Sequence, residues 1–391
     1  MTLTLRPPFA DTFLSAGFRP FFLSAGVWAV VSMAIWIAVV TGLVSMADPF
    51  AWHVHELVFG YVGAAIAGFL LTAAPSWTKR SALRGQALAG LWAAWVAARI
   101  AMLGFGSLPA LPLALLDLLM PIVLFGIVLS QIVASKNWRN VSVVIALLFY
   151  IIGNVIFHWE AMLGFAAASG YGARLGIASV VMLVSIVGGR IAPNFTRNWL
   201  KRRGETRLPP PASRYDIVCH VLLASSLILW VLVPFATLSG LALMAASGAH
   251  FWRMRGWRSL ATRSDPLLWV LHAGYAFVPL GAFAIGMAIV FPLALAPGAM
   301  IHLWTIGALA VTTLAVMTRA SLAHSGAALV ALPGSTLLYL CLIAAAFLRP
   351  VSGLFPGISM PLQSLAGLLW IVAFGGFVVL YRGTFVRNTE A

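Results

Sequence analysis

Apolar residues come in blocks of about twenty along this sequence, separated by short polar stretches, and twenty residues is the length a helix needs to cross roughly 30 Å of hydrocarbon. Hydrophobic residues fill 62% of the 391 positions and charged residues only 8%, so no aqueous fold could hide the apolar surface. The blocks are continuously apolar, where barrel strands would alternate apolar and polar over about ten residues. An all-α integral membrane protein follows. The first block runs from Pro20 past Val40, longer than a signal-peptide core and without a small-residue cleavage site, so it is expected to be the first span.

Twelve spans are expected in a single bundle, near 20–43, 57–75, 87–105, 110–132, 139–159, 172–190, 216–234, 236–252, 266–291, 297–318, 333–348 and 362–381. The chain is expected to be one polytopic membrane domain, 1–391, with a basic, Pro-rich cytoplasmic loop over 193–215 between two six-helix halves. With the N-terminus inside, the inner loops hold Lys79, Arg80, Arg84, Lys136, Arg139 and the cluster Arg197, Lys201, Arg202, Arg203, Arg207 and Arg214. Arg253, Arg255, Arg258, Arg263, Arg319, Arg382 and Arg387 continue the bias, and only Arg174 and Arg349 fall in outer loops. The positive-inside rule therefore puts both termini in the cytoplasm. The net charge of +15 is scattered between spans and forms no basic domain, which argues against nucleic acid as a partner. Cys219 and Cys341 lie singly in apolar blocks and suggest neither a disulfide nor a metal site.

Eight histidines in so apolar a chain carry information, because a polar side chain at membrane depth is costly and persists mainly where it pairs or binds something. The topology puts His53, His55, His158 and His302 on the outer side, and His220, His250, His272 and His324 toward the cytoplasm. Trp52-His53-Val54-His55-Glu56 concentrates two imidazoles and a carboxylate at a helix entry. Positions two apart on a helix point about 200° apart, so His53 and His55 cannot easily share one ion, whereas His53 and Glu56 can share a face. One histidine can coordinate while the other meets a second cofactor, with Glu56 supplying protons or a hydrogen bond; capping of an interfacial helix end is the plainer alternative. His55 and His302 open separate spans at similar depth, each five residues before a glycine, Gly60 and Gly307, and a haem bridging them is geometrically allowed. His53 or His158 could add nitrogen ligands for copper.

His272 lies well inside the ninth span, where helix packing competes with ligation, and His324 follows a short polar stretch that reads as a loop leaving the tenth span. His220 and His250 read as interfacial helix-end residues. Arg19, Arg190 and Arg319 each abut a span end, where a guanidinium anchors by snorkelling or clamps an anion such as a haem propionate. Arg99, inside the third span, needs a buried partner, and Asp117 in the fourth is the candidate.

Several motifs spread along the chain resemble the NnrS family: Phe18-Arg19-Pro20-Phe21-Phe22; Trp52-His53-Val54-His55-Glu56 with Phe59-Gly60; Gly68-Phe69-Leu70-Leu71-Thr72-Ala73 with Pro75 and Trp77; Gly189-Arg190-Ile191-Ala192-Pro193 with Phe195-Thr196; His272 with Gly274-Tyr275; and His302 leading to Met317-Thr318-Arg319-Ala320. Leu322-Ala323-His324-Ser325-Gly326 departs from the family's Leu-Gly-His-Thr-Gly by alanine and serine, and keeps the histidine. The resemblance implies twelve spans in the bacterial inner membrane, haem of the b type and copper, and resistance to nitric oxide. Taken together with the reading of the residues above, the expected site has Glu56 as catalytic residue, Arg19, Arg190, Arg319 and Tyr275 as cofactor-binding, and His53, His55, His158, His272, His302 and His324 as metal ligands. The leading expectation is reduction of nitric oxide to nitrous oxide with electrons from the quinol pool. The rival is a haem-based sensor or scavenger, which needs the same ligands, and a transporter is a minor option.

Overall fold

The structure is a computed structural model that describes residues 12–292 and 296–386. Among these residues there are twelve long helices and no strand. In chain order they are α1 (Phe18–Val40), α2 (Pro49–Thr78), α3 (Gly85–Met102), α4 (Ala110–Ala134), α5 (Val141–Met162), α6 (Tyr171–Arg202), α7 (Arg214–Leu232), α8 (Thr237–Met254), α9 (Pro266–Val290), α10 (Pro297–His324), α11 (Ser335–Leu354) and α12 (Ser359–Val386). Ten are long and apolar enough to cross a membrane; α3 and α8 fall short, and they are the helices that carry the buried arginines Arg99 and Arg253. Arg387 lies outside the described residues.

Helices outrun the apolar blocks at several ends. α2 begins at Pro49, because the Asp48 carboxylate accepts a hydrogen bond from the Ala51 amide at 3.1 Å and Pro49 fills the first helical position. His53, His55 and Glu56 therefore sit within a helix, rather than at its mouth. α6 runs on through Pro193 to Arg202, which narrows the interruption expected over 193–215 to 203–213. A proline costs a helix the hydrogen bond to the carbonyl four residues earlier, here that of Gly189, and the Arg253 guanidinium donates to that oxygen at 3.4 Å. α10 likewise continues to His324, so the polar stretch after Met317 is the last turns of a helix and not a loop.

α2, α6 and α10 are the most enclosed helices. α1 packs against both α2 and α12, which brings the first and last helices together, while α5 pairs with α6, α8 with α9 and α11 with α12. Both α2 and α10 depart from α-helical hydrogen bonding directly after a histidine: His55 is followed by a π-helical segment, Glu56–Tyr61, and His302 by another, Leu303–Val311. Such segments widen the turn by a residue and re-aim the side chains around them. The glycine within each allows close approach. A Cβ at Gly60 would stand 2.7 Å from Arg99 Nη1, and one at Gly307 would collide with the Phe277 ring.

Candidate metal centre

α2 separates two compartments. His53, Val54, Leu57, Val58, Tyr61 and Val62, spaced as a helical stripe, face a cavity of about 490 Å³. His55 and Glu56, fully buried, face the other way, toward α3, α4 and α5. His53 and Glu56, three residues apart, do not share a face: His53 lines the cavity, whereas Glu56 is turned toward Arg99.

On the second face, His55 Nδ1 lies 2.8 Å from Glu56 Oε1, and its Nε2 lies 3.1 Å from Asp117 Oδ2 and 3.0 Å from Asn154 Oδ1. His158 Nε2 reaches the same Asp117 oxygen at 3.1 Å, and the Asn154 amide donates to it at 2.7 Å. Arg99 Nη1 donates to Glu56 Oε1 at 2.6 Å, and its Nη2 donates to Asp117 Oδ1. The pairing of Arg99 with Asp117 expected from the sequence is thus present, widened into a network. Ligand atoms of His55, Asp117 and His158 all lie within 4.8 Å of one another.

Two imidazoles and a carboxylate form a donor set suited to copper or zinc. Two buried carboxyls stand against one guanidinium, which leaves one negative charge for a proton or a monovalent ion to balance. Glu56 Oε2 is buried with no hydrogen-bond partner.

The cavity on the first face is lined by α1, α2, α6, α7, α9, α10, α11 and α12, with Trp36, Phe50, Trp230 and Trp370 in its walls. His53 and His302 both line it. His53 stacks on Trp36 with centroids 4.0 Å apart, and its buried Nδ1 has no hydrogen-bond partner. His302 Nδ1 donates to the backbone carbonyl of Gly298 at 3.1 Å, which leaves the lone pair on Nε2, where Arg349 Nη2 approaches to 3.3 Å. The pair across the cavity is therefore His53 with His302, not His55 with His302, because His55 is turned into the carboxylate network. Size, apolar walls, an orphaned imidazole nitrogen and two cations, Arg174 and Arg349, fit a large planar cofactor bearing carboxylates.

The remaining expected site residues lie toward the opposite ends of these helices. Arg19, buried, holds its guanidinium 5.4 Å from the Phe18 ring, which also packs against exposed His324. Arg319 stacks over Phe195 at 4.3 Å. Arg190 donates to Asn140 Oδ1 at 2.9 Å and ties α6 to the start of α5. His272 has both ring nitrogens engaged by hydroxyls, Thr196 at 2.7 Å and Ser259 at 3.0 Å. Tyr275 accepts from Arg253 at 2.6 Å and lies 2.8 Å from His250 Nδ1, while Arg253 pairs with Asp216 at 2.6 Å. His250 is fully buried in this network and is not an interfacial residue. None of these six residues, Arg19, Arg190, Arg319, Tyr275, His272 and His324, lines this cavity.

Sequence reasoning missed Asn154, Arg174 and Arg349 as site residues. Their signals were there: a lone amide in an apolar span, and the two arginines that defied the inside bias. No curated protein matches this sequence. A family model described as NnrS protein matches residues 12–388, and over nearly its whole length the chain belongs to the NnrS family.

Proposed function

We propose that this protein detoxifies nitric oxide at the inner membrane by reducing it to nitrous oxide with quinol-derived electrons, using haem in the outer cavity and copper at the neighbouring cluster. The observation that supports this reading most is the convergence of His53 and His302 on one aromatic-walled cavity, with His55, Asp117 and His158 directly behind the same helix. Bound haem would supply a redox-active iron. His53 and His302 would hold it, with the Gly298 carbonyl orienting the His302 ring, and Arg174 and Arg349 would pair with its carboxylates.

Joining two nitric oxide molecules into nitrous oxide and water consumes two electrons and two protons. Glu56 lies on the cluster face of α2 and not in the cavity lining, so its proposed role is to store a proton at Oε2, the oxygen that no neighbour satisfies, for relay past α2. Arg99 fixes the other oxygen.

The test is an anaerobic optical spectrum of dithionite-reduced protein, followed by nitrous oxide detection with a quinol donor. Haem bands with catalytic nitrous oxide are expected, with the bands lost in His302→Ala and His53→Ala. Haem bands with only stoichiometric uptake would replace the reductase by a sensor or scavenger, and absence of haem would overturn both.

A further inference from the structure

A second, smaller cavity of about 70 Å³ lies among α1, α2, α6 and α10, walled by Phe22, Ile66, Phe69, Val184, Val316 and Met317. Thr312 and Thr313 are the only hydroxyl-bearing residues in its lining; Thr313 Oγ1 is already committed, donating to the Ala310 carbonyl at 3.0 Å and accepting from Tyr61, which leaves the buried, unpartnered Thr312 Oγ1 as a single polar group. Water needs two to four polar partners and is disfavoured in such a space, whereas dry apolar cavities take up small apolar solutes. A diatomic molecule occupies roughly the 30 Å³ of a liquid water, so one or two fit.

This cavity abuts the large one. Val62 lines both, Tyr61 lines the large cavity, and the Tyr61 hydroxyl hydrogen-bonds to Thr313 in the wall of the small one. Val62 and the Tyr61–Thr313 pair therefore stand where the two linings meet.

We propose that the small cavity is a docking site for a neutral diatomic gas, nitric oxide on the reading above, on which this inference rests, and that gas passes from it to the haem cavity beside the Tyr61–Thr313 pair. Nitric oxide is uncharged, scarcely hydrogen-bonds and dissolves in hydrocarbon, so it can enter from the bilayer side where charged species cannot. Nitrous oxide, also neutral and small, can leave the same way.

Xenon tests the site without any cofactor. Pressurised crystals, or xenon-129 spectra of the detergent-solubilised protein, should show xenon in the small cavity of the wild type and in Tyr61→Phe. It should be absent from Val184→Trp, whose indole fills the space, with Val316→Phe as the substitute if that variant does not fold. Rebinding of photolysed nitric oxide to haem-loaded protein should slow severalfold in the filled variant and speed up in Tyr61→Phe. A wild-type cavity without xenon overturns the docking site. Xenon binding with unchanged rebinding in the filled variant overturns the passage. A protein that takes xenon and holds no haem keeps the site, while the nitric oxide reading falls.

Discussion

Asp117 is the residue on which the buried network converges, meeting Arg99, Asn154, His158 and His55. Removing one partner of a buried ion pair leaves the other uncompensated, at a cost of about 3–5 kcal/mol. Asp117→Ala should therefore lower the melting temperature markedly and abolish copper binding, measured by tryptophan fluorescence in detergent and by metal analysis; a melt like that of the wild type would contradict the network's role. Gly60→Ala puts a methyl against Arg99 Nη1 and Glu56 Oε2 and should cost about 1–3 kcal/mol in the same melt. The Arg99–Asp117 pair was legible in the sequence because a lone charge in an apolar block demands an opposite one. Which of His53 and His55 meets His302 was not legible, since that depends on the rotation of α2 about its axis, which contacts with distant parts of the chain decide.

Among the elements, all twelve helices fall where the apolar blocks lie, and their ends do not. Block-reading stops at the first polar residue, whereas a helix stops where its end groups find partners. Asp48-Pro49 is a capping signal visible in the sequence, eight residues before the start assigned to that span, and Asp48→Ala should cost about 1 kcal/mol by exposing the first turn of α2. The accompanying readout is local: hydrogen exchange of the Ala51 amide should accelerate, and unchanged protection would argue against the cap. Continuation through Pro193 had no local signal. It rests on Arg253, sixty residues further on, donating to the Gly189 carbonyl.

At the scale of the whole molecule, the ends of the helices sort the chemistry. The cavity and the carboxylate cluster occupy the starts of α2 and α10 and the end of α5, while Arg19, Arg319 and His324 gather at the start of α1 and the end of α10. On the positive-inside reading the first set faces outward. A cysteine replacing Gly204 should react with an impermeant maleimide only after the cells are opened, and one replacing Ser45 should react in intact cells; the reverse pattern would invert the topology. Cys219 and Cys341 are buried and leave a quiet background.

Because α2 carries His53 on one face and His55 on the other, any turn of that helix moves both together. An occupant of the cavity and an ion in the cluster then act on one shared degree of freedom. Whatever factor the first applies to the affinity of the second, the second must return to the first.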